Sequence, residues 1–143
     1  MRVALAVVAL VLAGCASTPL PPWPAAASTL APPHAALDWD DFMLQAAHRM
    51  VDADPGAAYT GPVPAILLAI PVLEVELDRD GSVRHIEVVR EPTQAQDTVE
   101  LAIQAVRRGA PYGDMTRLPR PWKFTEVFLF DDARRFKPRT LDE

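Results

Sequence analysis

Cysteine is almost missing: Cys15 stands alone in 143 residues, which excludes an intramolecular disulfide and a cysteine-ligated zinc. Basic runs are missing too. With a formal net charge of −5 and no Lys/Arg cluster, the chain lacks the electrostatic footprint of a nucleic-acid binder, and neither DNA nor RNA is an expected partner. His34, His48 and His85 are far apart, with no HExxH or HxH spacing, so no metal site is assigned. Serine is scarce, Ser82 has no GxSxG elbow around it, and no glycine-rich phosphate loop exists. Glu74 and Glu76, two apart, read as the wet face of a strand and not as a glycosidase pair. No catalytic residue and no dissociable cofactor follow from this inventory.

What is present is ordinary globular material. Hydrophobic residues make up 50% and charged residues 23%, enough for one core in a chain of single-domain length. The 15 prolines are unevenly spread, which marks a spacer or a rigid loop.

Met1-Arg2 followed by the apolar run Val3 to Leu12 is too short for a mature transmembrane helix and suits a signal peptide. Leu12-Ala13-Gly14-Cys15 resembles the lipobox of bacterial lipoproteins. That resemblance implies removal of residues 1–14, a covalent lipid on Cys15 as the only attached group, and, with Ala16 in place of an aspartate, an outer-membrane location facing the periplasm. Loss of Arg2 takes the formal charge from −5 to −6. Residues 15–37, rich in Pro, Ala, Ser and Thr, read as a tether. At about 3.1 Å per residue in polyproline II form, it reaches roughly 70 Å. Trp23 within it either sits at the lipid interface or packs loosely.

The folded domain is expected over 38–130. Trp39, Phe42, Met43, Ala46 and Met50 share one helical stripe, with Asp38 as cap, Asp40 and Asp41 in the first turn and Arg49 placed for the dipole at the other end. Pro55-Gly56 stops this helix. Leu73, Val75 and Leu77 alternate with Glu74, Glu76 and Asp78. After the Asp80-Gly81 turn comes Val83 to Arg90, and the two runs form a hairpin. Asp97-Thr98-Val99-Glu100 has the form of a capping box opening a second helix, striped by Val99, Ala102, Ile103 and Val106 and closed by Arg107-Arg108-Gly109. Ala110 to Pro121 reads as loop, Trp122 to Phe130 as a third strand, and 131–143 as a polar tail.

Together these runs predict an α+β fold: an N-terminal helix, then β-hairpin, helix and third strand. The sheet is three-stranded, antiparallel or mixed, in the order 2-1-3, with helices on one face and the third strand exposed as an edge.

Several runs in order resemble the C-terminal domain of TonB-type and TolA-type envelope transducers. They are Leu73-Glu74-Val75-Glu76-Leu77, Asp80-Gly81, Ile86-Glu87-Val88-Val89, Ala102-Ile103 with Ala105-Val106, Ala110-Pro111-Tyr112 and the Phe-rich closing strand. The likeness covers about 60 residues, Val72 to Phe130. The family's serine-glycine turn is absent from Arg90 to Asp97, Gly113 to Arg120 looks like extra loop, and Met1 to Leu12 lacks the polar residues of a motor-contacting helix. The resemblance therefore implies a recognition domain without force transmission.

The expected function is a lipid-anchored periplasmic interaction module that binds an envelope protein by strand addition. The expected contact is the third-strand edge, Phe124, Thr125, Glu126, Val127, Phe128, Leu129 and Phe130. The alternative cover for that edge is the 131–143 tail or the Gly113 to Arg120 loop. The competing class is a small envelope enzyme or ligand carrier, in which Trp122, Phe124, Phe128 and Phe130 would line a pocket instead of a core.

Overall fold

The computed structural model describes residues 30–142. The order of elements is α1 (Trp39–Ala53), β1 (Val72–Leu77), β2 (Val83–Arg90), α2 (Asp97–Gly109), β3 (Lys123–Phe130), β4 (Phe136–Pro138) and a 3-10 turn (Arg139–Asp142). The fold is α+β, with two helices over one face of a four-stranded antiparallel sheet in the order β2-β1-β3-β4. The lipobox residues Leu12, Ala13, Gly14 and Cys15 lie outside the described residues.

Asp38 caps α1 by accepting the Asp41 N–H on its side chain at 2.9 Å. Phe42, Ala46, Met50 and Val51 are then buried against the sheet and α2. Arg49 does not serve the helix dipole. It is buried, and its Nε donates to the Gly109 carbonyl at 2.9 Å while Nη1 donates to that of Ala31 at 2.7 Å. Leu30 to Leu37 thus lies on the domain and not in a free spacer. Ala36 is in the core, and the His34 N–H donates to Gln45 Oε1 at 2.8 Å.

In β1 the alternation holds: Leu73, Val75 and Leu77 are buried under the helices, while Glu74 and Glu76 occupy the opposite face. The capping box of α2 does not form. The chain enters this helix through Gln96 already in helical conformation, so Asp97 is free to turn outward and accept from Arg134 Nε at 2.7 Å. The buried stripe is Thr98, Ala102, Ala105, Val106 and Gly109. A Cβ on Gly109 would lie 3.1 Å from the Met50 main-chain N, so its lack of a side chain permits the close approach of α1 and α2.

The segment between α2 and β3 is a strap across the hairpin turn. The Tyr112 N–H donates to the Gly81 carbonyl at 2.9 Å, and the Met115 N–H to that of Arg79 at 3.0 Å. Tyr112 and Met115 are buried in the core.

The polar tail and the three-stranded sheet both need correction. Phe136, 2% exposed, is part of the core, and with Lys137 and Pro138 it forms β4 on the outer side of β3. Phe136 is itself held between Ala57, whose carbonyl accepts its N–H, and Tyr59, whose N–H its carbonyl accepts. Burial of one aromatic ring among Phe128, Phe130 and the α1–α2 layer outweighs the polar composition around it.

Candidate functional site, the open sheet edges

Main-chain direction alternates along β3. The Phe128 and Phe130 N–H groups donate to Pro71 and Ala69, and the Trp122 carbonyl accepts from Leu77, so even-numbered residues bond toward β1. Thr125, Val127 and Leu129 therefore point their N–H and C=O outward. Leu129 lies opposite Lys137, within the stretch Phe128–Phe130 that β4 covers. The Val127 N–H is taken by Glu126 Oε1 at 3.1 Å. Of the expected edge, only the stretch up to Thr125 keeps its outer N–H free of a partner among the described residues.

The β3 side chains named for partner binding are largely spent inside. Phe124 packs edge-on against Phe42 at 5.3 Å and Tyr112 at 5.8 Å between ring centroids, and Phe128 meets Phe136 at 5.8 Å. Glu126 shares their face and is 2% exposed. Its carboxylate accepts the Thr140 hydroxyl at 2.7 Å and the Thr140 N–H at 3.3 Å, which ties the 3-10 turn to β3. Burial pushes this carboxyl above the usual glutamate range, and the hydrogen bonds from Thr140 and Val127 offset part of the rise. A glutamate between two phenylalanines of one strand face was the sequence signal for this group.

The other edge is bare. Throughout Val83–Arg90, β2 pairs with β1 alone, and no described residue bonds to its outer main chain. Glu74 lies opposite Glu87 and Glu76 opposite His85. Since odd-numbered β1 residues bond toward β3, Glu74 and Glu76 bond toward β2. His85 and Glu87 therefore face inward along the ladder, and Ile86 and Val88 present their N–H and C=O to solvent. Val88 is 40% and Val89 58% exposed. The register is irregular at both ends of this pairing, leaving His85 to Val88 as its regular stretch.

Comparison with known proteins gives no matching family model, no curated relative and no matching solved structure.

One concave surface lies beside the hairpin turn. It is a cleft of about 720 Å³ lined by Asp78, Asp80, Arg84, Asp114, Arg120 and Trp122. Within it Arg84 pairs with Asp78 at 2.6 Å, Asp80 and Asp114 cap their own turns through Ser82 and Thr116, Arg120 lies 4.2 Å over the Trp122 ring, and Arg79 also lines the wall. His34 sits 3.0 Å from Asp41, whose carboxyl is held low by the Leu37 N–H and by that imidazole. Among the described residues, no three metal-binding side chains cluster, and no helix is long and apolar enough to cross a membrane. The Tyr59 hydroxyl is buried without a partner, and desolvation raises its pKa.

Proposed function

We propose that this chain is a lipid-anchored interaction module of the bacterial cell envelope, held through Cys15 on the periplasmic face of the outer membrane, and that it binds protein by adding a strand to an exposed sheet edge. The observation that carries this reading is the unoccupied outer main chain of β2, on a strand with two exposed valines. Because β4 covers Phe128 to Phe130 of the third strand, we take the second strand, open along its length, as the binding edge. The succession β1, β2, α2, β3 stands in the order on which the likeness to the TonB-type and TolA-type C-terminal domain rests, and this supports a recognition role. The largest part of the aromatic set, Phe124, Phe128 and Phe130, lies in the core, which favours this role over an enzyme or a ligand carrier.

Two measurements test the reading. Radiolabelled palmitate should enter the wild-type chain and not Cys15→Ser; incorporation into both would remove the anchor. A photo-crosslinking side chain at Val88 should yield a protein adduct in intact cells, whereas one on the wet face of β1, at Glu74, should not. Equal adducts at both positions would show that the β2 edge has no special role.

A further inference from the structure

We infer that the occupant of the β2 edge is a second copy of this chain, paired antiparallel about a two-fold axis at Ile86. This rests on the strand-addition reading and names its partner.

The inference follows from phase and charge. An antiparallel neighbour must set its own outward-bonding residues opposite Ile86 and Val88. For a second β2 strand, three registers meet that condition near the regular stretch. Centring on His85 places His85 opposite itself and leaves Glu87 without its counterpart. Centring on Glu87 places two carboxylates face to face, which is destabilising. Centring on Ile86 puts His85 of each copy opposite Glu87 of the other, twice, and Ile86 opposite Ile86. Of the three, only this register sets both His85 residues opposite Glu87; at its ends Arg84 meets Val88.

The surroundings fit the same register. Ile86 lies opposite Val75 and packs against the core on the helical face, so the two Ile86 side chains would join the cores of both copies. Val88, on the same face, gains cover beside them. His85 lies opposite Glu76 and beside Glu87 on the wet face, where Lys123 pairs with Glu74 at 2.9 Å and Arg84 lies 3.7 Å from Glu76, while no described side chain pairs with Glu87. An imidazole arriving from a second copy meets the Glu87 carboxylate there. Two copies on tethers in one membrane share a high effective concentration, which lets a short strand contact persist.

Cysteine trapping in the full-length, membrane-bound chain tests the register. Across a hydrogen-bonded antiparallel pair, Cα atoms are about 5.5 Å apart, within disulfide range. Ile86→Cys should give a reducible species of twice the mass, at a level far above both wild type and Arg90→Cys. Glu87→Lys, added to Ile86→Cys, should weaken this trapping about tenfold, because two His85–Glu87 contacts are lost. Exchanging the pair, His85→Glu with Glu87→His, should restore it. Equal trapping of Ile86→Cys and Arg90→Cys, or failure of the exchange to restore it, overturns the register. If Ile86→Cys joins a different envelope protein, the second-copy inference falls while the edge reading stands. If it joins nothing and Val88 photo-adducts are also missing, both fall.

Discussion

A Cβ at Gly81 would lie 2.3 Å from the carbonyl oxygen of Gly113, and Gly81 itself has φ +80°. The hairpin turn and the strap are therefore in backbone contact, and two independent constraints fall on one position. Gly81→Val should cost about 3 to 5 kcal/mol, from the strained backbone together with displacement of the strap. Chemical denaturation measures this. A loss under about 1 kcal/mol would mean that the turn and strap do not meet this way.

Glu126 sets a distinctive pH dependence. Its folded-state pKa is raised, so between the unfolded and folded values the native state binds more protons, and stability falls as pH rises through that window. Glu126→Gln abolishes this contribution. The stability difference, variant minus wild type, should grow as pH rises above the ordinary glutamate range and then level off. Glu126→Ala should instead cost about 2 to 4 kcal/mol, since it strands the Thr140 and Val127 N–H groups and opens a cavity. Urea titrations at a series of pH values decide both.

Phe136 makes the tail structural. Phe136→Ala should lower stability by about 3 to 5 kcal/mol, as for other buried aromatic truncations. Removal of residues 131–143 should abolish cooperative unfolding by circular dichroism. A truncated chain with an unchanged thermal midpoint would return those residues to the role of a dispensable tail.

Arg49 fastens the segment before α1. Arg49→Met should cost about 2 to 3 kcal/mol, because the Gly109 and Ala31 carbonyls lose a charged donor. Amide exchange at His34 should also speed up, more than at Val75 in the sheet centre. Unchanged exchange at His34 would show that Gln45 alone holds this segment.

The features legible in the sequence are those that repeat. Leu73, Val75 and Leu77 declare a half-buried strand because one face of the sheet is covered, and Phe42, Ala46 and Met50 declare a helix because one stripe is. The order of the first three strands follows, since a helical crossover separates β2 from β3 and leaves the central place to β1. β4 is too short for any period: three residues, one of them proline, become a strand because Phe136 fits beside Phe128 and Phe130. Local rules assign Asp97 to a cap and Arg49 to a helix dipole, but tertiary partners, Arg134 and the Gly109 carbonyl, claim them instead. The cover over Phe128 to Phe130 is illegible for the same reason, because β4 lies in a polar stretch.

The central position of β1 has a kinetic side. Its partner β2 is a few residues away across a tight turn, but Val72 and Glu76 must also meet Val127 and Lys123. Closing that separation of roughly 50 residues costs about 2 kcal/mol more chain entropy than closing the hairpin. The hairpin should form first and wait for β3, so capture of the distant strand governs how fast the molecule folds. The Tyr112–Gly81 hydrogen bond shortens the search by pinning the intervening chain to the turn, and weakening it should slow refolding as well as hasten unfolding.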